Sequence, residues 1–448
     1  MGVGGPAVVS RPRTRAAATI RSEQAAKPTA PVVASALELA NTLNAWRPFS
    51  RSAVPAAFTF VCGWPTSELP LHALGLSALR LARAARRGDI QGSAGRAAFG
   101  LACLSWLGLA GVYQRQLRSK TVLDKAVRDA VGERPDIIWT PSAVRLTTGR
   151  PLVRRRRRYV GPEATFAYGD AGRFNKLDIW RHRDLPDDAR APVVLQVPGG
   201  GWVTGGRRGQ AYPLLTRLSA AGWVCVSMSY RLSPRHPWPA HILDVKRALS
   251  WIKANIAEHG GDPDFVAITG GSAGGHLAAL AALTPDDKSL QPGFEDVDLS
   301  VSAAVPLYGR YDWLTSEGPG RRELIAIIER YIVQRRIGEA LEVFRAASPL
   351  LRVGPDAPPF FVLHGECDSV IPVEEARAFV DALRAVSRAP VAYAELPGAQ
   401  HGFDFFESAR ARNSAHAVHD FFETVYAANR RPKRLGTNTI MSTARGDR

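Results

Sequence analysis

A serine within a run of small residues is the first group in this chain whose position indicates chemistry. Residues 270–275 read GGSAGG, so Ser272 stands in a G-x-S-x-G pattern with one further glycine behind it. The strand-like stretch 265–269 precedes this run, and the apolar, helix-like stretch 273–283 follows it. A serine at a sharp turn from strand to helix exposes its hydroxyl above the sheet, and only small neighbours leave room for the turn. The pattern therefore predicts that Ser272 is a nucleophile.

A serine nucleophile needs a base, and the base needs an orienting group, because the hydroxyl alone reacts poorly near neutral pH. His401, in the run LPGAQHGF, is the best candidate for the base. Asp368, in the run HGECDSVIP, follows a strand-like stretch and is the best candidate for the acid. The order serine, aspartate, histidine along the chain is that of a large class of serine hydrolases. We therefore expect a catalytic triad.

Other titratable side chains compete for these roles. Glu366 stands two residues before the candidate acid and is the alternative to it. His276 lies one turn beyond the serine and is expected to pack there, whereas His364 ends a strand and is expected to support the acid loop. His236 and His241 flank a proline-rich loop without an acid at a suitable spacing.

A glycine-rich loop is the third candidate element. Residues 198–202 read PGGGW and directly follow the strand-like stretch 191–197. The tetrahedral intermediate of acyl transfer carries an oxyanion that needs preset N–H donors, and glycines let the backbone approach it closely. We also expect Trp202 and Gly271 to contact the substrate. The expected donors are the N–H groups of Gly200 and Ala273, assisted by Gly199 or Gly201.

These candidates require a fold that brings strand ends together. From about residue 165, strand-like stretches alternate with helix-like stretches, which predicts an α/β fold with a mostly parallel sheet and helices on both faces. Ligands bind such sheets at the carboxyl ends of the strands, where all three triad candidates stand. The helix-like stretch 323–333 is expected to be a cap or acyl-pocket wall, with core packing as its alternative. The strand-like stretches are 176–180, 191–197, 223–229, 265–269, 301–307, 360–363 and 391–394.

The chain is strongly basic, and its charge is unevenly placed. Of 58 Lys and Arg and 41 Asp and Glu, residues 1–158 hold 25 and 8, so this region carries the whole net charge of +17. No nucleic-acid-binding motif accompanies the charge, and a nucleic-acid partner is therefore not expected. A solvated basic arm is the first interpretation, and contact with anionic lipid is the second.

An apolar stretch in the same region has two interpretations. Residues 97–113 contain no charge and are flanked by Arg96 and Arg115, and the mostly apolar stretch 54–81 precedes them. Seventeen residues are at the short end of what crosses a bilayer. The two stretches could form a membrane hairpin or the buried helices of a lid over the catalytic body. Membrane association is favoured over a cytoplasmic location.

The domain boundaries follow from these shifts in composition. We predict a disordered basic arm over 1–50, a hydrophobic helical region over 51–150, a catalytic domain over 151–430 and a basic tail over 431–448. The five-arginine run 154–158 is expected to be a solvated linker at the junction. The four cysteines form no C-x-x-C pair, so free thiols are expected, with no metal and no cofactor. The oligomeric state is left open.

Several motifs together resemble the hormone-sensitive-lipase-like carboxylesterases of the α/β-hydrolase superfamily. The likeness is closest to actinobacterial-type Lip esterases with a long N-terminal extension, and it covers about 165–425. It implies an α/β-hydrolase fold that cleaves small-molecule or lipid carboxylic esters through an acyl-enzyme, without a cofactor. The motifs are PGGGW at 198–202, YRLSP at 230–234, WPA at 238–240 with Asp244, GGSAGG at 270–275, Asp368, and HG at 401–402.

Two departures and two alternatives accompany the resemblance. Pro198 stands where the family has a histidine that braces the glycine loop, and residues 233–235 read SPR in place of Ala-Pro-Glu. An amidase of arylformamidase-like or peptidase-like type would use the same fold and triad. A non-catalytic ligand-binding protein on the same scaffold is the minor alternative, since a fold alone does not determine function.

Overall fold

The central element is one eight-stranded sheet. The structure is a computed structural model that describes residues 29–50, 53–132, 159, 164–317 and 321–430. The strands run in the spatial order β1-β2-β4-β3-β5-β6-β7-β8. Their bounds are β1 Thr165–Ala167, β2 Lys176–Trp180, β3 Ala191–Val197, β4 Val224–Met228, β5 Gly261–Gly271, β6 Ala303–Leu307, β7 Phe360–Gly365 and β8 Val391–Leu396.

The sheet is parallel except at one edge. β1 pairs with β2 and β2 with β4 in antiparallel register, and the pairs from β4 through β3, β5, β6, β7 to β8 are parallel. Every residue of β3 is buried, as expected for a central strand covered by helices on both faces. The predicted mostly parallel sheet is confirmed, and the ends of β5, β7 and β8 meet at one edge.

Helices cover both faces of this sheet, as predicted. One face carries α6 Ala240–Asn255, α7 Ala273–Leu283 and α10 Glu374–Val386, whose buried residues share a core with β3, β4 and β5. The other face carries α5 Tyr212–Ala220 and α11 Ala409–Arg430. Helix α7 is buried on all sides, and apart from His276 its residues are small or apolar, as expected for a core helix.

The stretch 323–333 joins the first core instead of standing apart as a cap. It forms helix α8, Arg321–Ile327, and a π-helical turn, Ile328–Val333. Ile328 and Ile332 are fully buried in the core, so the core-packing alternative holds for these two side chains. A short helix α9, Leu341–Ala346, follows before β7.

In the described part of the chain, four helices precede the sheet and pack against its second helical layer. They are α1 Thr29–Trp46, α2 Ala53–Glu68, α3 Pro70–Arg86 and α4 Gly92–Val131. Leu123 and Val127, near the end of α4, belong to the same core cluster as β8 and α11. Glu68 at the end of α2 pairs with Arg410 of α11, and both side chains are fully buried. The N-terminal helices are therefore attached to the catalytic body by packing and by a buried ion pair.

The structure corrects one part of the predicted domain organisation. Residues 29–46, assigned to a disordered arm, form helix α1. Its buried residues include Ser35 and Thr42, and the Thr42 hydroxyl shares a 2.8 Å hydrogen bond with Ser105 of α4. Tertiary contact with α4 therefore outweighs the weak local helical signal. Residues 1–28 of the arm, the run 154–158 and the boundary at 150 lie outside the described residues, as does the tail 431–448.

One helix among the described residues is long and apolar enough to cross a membrane. It is α4, and 28% of its most apolar 18-residue window is buried. A membrane hairpin needs two such helices. The stretch 54–81 instead lies in two shorter helices, α2 and α3, which are separated at Leu69. The described part of the chain therefore contains no second helix that could complete a membrane hairpin with α4.

Candidate active site

Ser272 lies on the sharp turn predicted between β5 and α7. Its φ of 58° is in the left-handed region, which is strained for a residue with a side chain. Its N–H donates to Leu307 O at 2.9 Å, which ties the turn to the end of β6. Helix α7 begins at Ala273, so the helix N-terminus lies behind the serine and favours negative charge there.

Three side chains from three loops form one hydrogen-bonded chain. Ser272 Oγ and His401 Nε2 are 2.9 Å apart, and His401 Nδ1 and Asp368 Oδ2 are 2.7 Å apart. Asp368 follows β7 and His401 follows β8, so the parallel order of the strands brings these side chains to the same edge. The geometry is that of a nucleophile, a base and an orienting carboxylate.

The carboxylate of Asp368 is held in its ionised form. It is 1% exposed, and its Oδ1 accepts the N–H groups of Val370 and Ile371, both at 2.8 Å. Burial opposes ionisation, but the charge of His401 and hydrogen bonds from His364 and His401 outweigh it and lower the pKa of Asp368. An ionised, fixed Asp368 keeps the proton of His401 on Nδ1 and leaves Nε2 free to accept from the serine.

The competing side chains take other positions. Glu366 is exposed, and its Oε2 accepts the N–H of Gly398 at 2.8 Å, so the alternative acid has a different partner. His276 packs among tryptophans, where burial lowers its pKa to about 3. His364 donates to Ile371 O at 2.9 Å and supports the acid loop, as expected.

The glycine loop crosses directly over the serine. A Cβ placed on Gly199 would lie 3.3 Å from Ser272 Cβ. Gly200 has a φ of 128°, and a Cβ there would overlap with the Thr204 carbonyl, so this position requires glycine. Among the described residues, no acceptor takes the N–H of Gly200, Gly201 or Ala273.

The structure corrects the expected role of Gly199 as an oxyanion donor. Its N–H donates to Gln210 Oε1 at 2.8 Å, and its carbonyl accepts from Gln210 Nε2 at 3.1 Å. The side-chain amide of Gln210 therefore binds both backbone groups of Gly199, and that N–H is occupied. Sequence reasoning missed Gln210, because nothing in its local spacing indicates that it reaches eleven residues back.

Two further contacts support the loop where the family's histidine is replaced. The hydroxyl of Tyr230 donates to Pro198 O at 2.9 Å. The indole of Trp202 donates to His276 Nδ1 at 3.3 Å and packs edge-on against Trp313. Trp202 is only 4% exposed, so its predicted contact with substrate stays a prediction, and its visible contacts support the loop.

Helix α2 reaches the histidine loop from outside the catalytic sheet. Phe60 lies edge-on to His401 with ring centroids 6.1 Å apart. Trp64 Nε1 donates to Gly402 O at 2.9 Å, and its ring contacts Phe405. The N-terminal helices therefore form part of the surroundings of the triad, a contact across more than 330 residues that no local pattern indicates.

Within the described residues, no group of three or more His, Cys, Asp or Glu side chains is placed to hold a metal ion. The four cysteines are free thiols, and Cys225 is buried with its pKa raised to about 12 by burial.

Comparisons with known proteins show which family the chain belongs to. The BD-FAE family model matches residues 177–383. The probable carboxylic ester hydrolase LipM of Mycobacterium tuberculosis is 44% identical over 413 residues, which cover 88% of this chain and 93% of that protein. Esterase LipC of the same organism is 52% identical over 273 residues, covering 61% of this chain and 67% of LipC.

Solved structures show the same fold. A truncated carbohydrate esterase from gut microbiota covers 60% of this chain and 98% of its own, at 24% identity and a TM-score of 0.50. A bifunctional GH43-CE protein of Bacteroides eggerthii covers 58% of this chain and 35% of its own, at 27% identity and a TM-score of 0.51. The chain belongs to the α/β-hydrolase superfamily, as a hormone-sensitive-lipase-like carboxylesterase of the Lip type.

Proposed function

We propose that Ser272, His401 and Asp368 form the catalytic triad of this carboxylesterase. Ser272 Oγ attacks the ester carbonyl while His401 Nε2 takes its proton, and Asp368 holds the imidazole tautomer and stabilises the imidazolium. The oxyanion of the tetrahedral intermediate accepts hydrogen bonds from the backbone N–H groups of Gly200, Gly201 and Ala273. Gly271, directly before the nucleophile, lies beside the reacting carbonyl.

The same groups serve the second half of the reaction. The alcohol leaves with the proton from His401, and water activated by His401 attacks the acyl-enzyme on Ser272. Because its charged and hydrogen-bonded partners keep the pKa of Asp368 low despite burial, the carboxylate stays ionised through both steps. The observation that carries the proposal is the continuous hydrogen-bonded chain from Ser272 to Asp368.

Covalent labelling tests the nucleophile independently of turnover. We expect one equivalent of a fluorophosphonate to add to the protein and abolish ester hydrolysis, with the added mass on the peptide that contains Ser272. Peptide mass spectrometry locates the label. The exposed Ser300 precedes the amino end of β6, whereas Ser272 lies at the carboxyl ends of the strands. It is the control and should stay unlabelled. A label elsewhere, or activity that survives full labelling, contradicts the assignment.

The substrate is an ester rather than an amide in this proposal. The relatives reported above are named esterases or ester hydrolases, and the curated isoprenylcysteine methylesterase of Arabidopsis thaliana, 32% identical over half of this chain, is a further ester hydrolase by name. Comparing turnover of p-nitrophenyl butyrate with that of formyl-kynurenine and an aminoacyl anilide separates the two classes. The non-catalytic alternative conflicts with the intact triad geometry.

We also propose that the N-terminal helices contact an anionic membrane surface peripherally. The face of α4 opposite its buried stripe exposes Phe99, Leu104 and Leu107, at 53%, 56% and 72%. Exposed apolar side chains bind the lipid interface, and nearby cations strengthen binding to anionic headgroups. Exposed arginines stand where α3 ends and α4 begins, namely Arg83, Arg86, Arg87 and Arg96.

Vesicle sedimentation tests this surface. We expect the protein to sediment with vesicles of phosphatidylglycerol and phosphatidylcholine more than with phosphatidylcholine alone, and to be released by high salt and carbonate. The double variant Leu104→Ser, Leu107→Ser should bind about fivefold less, because the apolar contact with the lipid interface is lost. Val386→Ser removes a comparably exposed apolar side chain from the catalytic body and should not change binding. Equal binding by all variants, or resistance to carbonate, contradicts a peripheral contact through α4.

A further inference from the structure

A buried tyrosine lies against the proposed base and against the residue that precedes the proposed nucleophile. Tyr308 follows β6 and is 1% exposed. Its ring lies edge-on to the imidazole of His401, with centroids 4.7 Å apart. On its other side, the hydroxyl fills the space next to Gly271, where any Cβ would overlap with it. Tyr308 therefore lies between the residue before the nucleophile and the base.

The backbone of Tyr308 is itself held in an unusual conformation. Its φ is 38°, in the left-handed region that costs energy for a residue with a side chain. Its N–H donates to Leu363 O at 2.7 Å, which fixes it to the end of β7. A strained residue persists only where the surrounding structure determines it, and such residues concentrate at functional sites.

The hydroxyl of Tyr308 binds the carboxylate of Asp404. Asp404 follows the candidate base by three residues, and its Oδ1 accepts the tyrosine hydroxyl. Burial and the charges of Asp404 and Asp368 raise the pKa of Tyr308, so the phenol keeps its proton and remains the donor. Burial also raises the pKa of Asp404, although the hydrogen bond from Tyr308 opposes this.

We infer that Tyr308 and Asp404 form a positioning pair that sets the distance between His401 and Ser272. The hydrogen bond joins the loop after β6, which carries Tyr308, to the loop that carries Asp404 and His401. It therefore holds the tyrosine side chain between Gly271 and His401. The pair acts through the base and does not touch the reacting atoms. Small displacements of a catalytic group lower the rate steeply, because proton transfer needs a short, aligned contact. The inference rests on the proposed triad.

Kinetics of four variants test the pair. Tyr308→Phe removes one oxygen and should lower kcat for p-nitrophenyl butyrate about tenfold, with KM changed less than about twofold, as a misplaced base predicts. Asp404→Ala should do the same, and the double variant should be no worse than either single variant, because one contact is lost in all three. Asp404→Asn keeps an oxygen acceptor for the tyrosine and should recover kcat to within about threefold of wild type.

Tyr311→Phe is the matched control. Tyr311 is also buried, but its hydroxyl has no hydrogen-bond partner among the described residues, and its ring stacks on Phe379. This variant should keep wild-type kcat. Unchanged kcat in Tyr308→Phe, multiplied losses in the double variant, or a kcat in Asp404→Asn as low as that in Asp404→Ala overturns the pair. Ser272→Ala in the same assay separates the two hypotheses, since survival of its activity overturns the triad itself.

Discussion

Replacing Ser272 with alanine is expected to lower kcat/KM for p-nitrophenyl butyrate by about 10⁵-fold, because the attacking oxygen is removed. At about 1.4 kcal/mol for each factor of ten, this loss corresponds to roughly 7 kcal/mol of transition-state stabilisation. The N–H donors of the glycine loop stay in place, so a residual rate above that in water is expected. Steady-state kinetics on purified protein measure the effect.

The Ser272 variant needs a control for folding and for contaminating esterases. Replacing the serine hydroxyl with hydrogen introduces no steric clash. The circular dichroism spectrum and the melting temperature of the variant should therefore match those of the wild type. Ser300→Ala, at an exposed serine whose hydroxyl bonds Asp298, should retain full activity. Activity above about 1% in Ser272→Ala, after purification identical to that of Ser300→Ala, would falsify the assignment of the nucleophile.

The sequence was sufficient to predict which strand ends meet. Each triad candidate stands in the turn or loop that follows a strand-like stretch, and parallel strands place their carboxyl ends at one edge. Ser272, Asp368 and His401 therefore could be brought together without knowledge of the register. The choice between Asp368 and Glu366 needed geometry, because both follow β7 and only the direction of each side chain separates them.

Contacts between distant segments could not be predicted. Gln210 lies in a loop whose path no periodic pattern indicates. Its side chain accepts the N–H of Gly199, so this N–H is not available to an oxyanion. Phe60 and Trp64 reach the histidine loop from α2, which the buried pair of Glu68 with Arg410 joins to α11. A sequence pattern records the local period of each helix but not the partner against which its face packs.

The N-terminal helices also show that a local pattern does not determine tertiary packing. The uncharged stretch 97–113 suggested a segment of membrane-spanning length, but the helix runs from Gly92 to Val131. Its buried side chains recur every three or four residues from Ala98 to Val127, which indicates one continuous packed face. Composition alone reports the apolar content of such a helix, whereas the packed face determines which side chains remain available to a membrane.

Asp368→Asn should reduce kcat about 10⁴-fold, the second large effect expected. Oδ1 of Asp368 accepts two backbone N–H groups, from Val370 and Ile371, so the oxygen of an asparagine would stay there. Its NH₂ group would then face His401 Nδ1, whose N–H now donates a hydrogen bond to the aspartate. Two donors cannot face each other, so the imidazole would carry its proton on Nε2 and could no longer accept from Ser272.

Glu366→Gln is the matched control for this variant. It makes the same carboxylate-to-amide change two residues away, at an exposed side chain that accepts the N–H of Gly398. Because glutamine retains an oxygen acceptor, kcat should stay within about threefold of wild type. If both variants lose activity equally, or if Glu366→Gln loses more, the orienting carboxylate is not Asp368. A wild-type rate in Asp368→Asn would contradict the assignment of Asp368 as the orienting carboxylate, because Asp368 Oδ2 is the partner of His401 Nδ1.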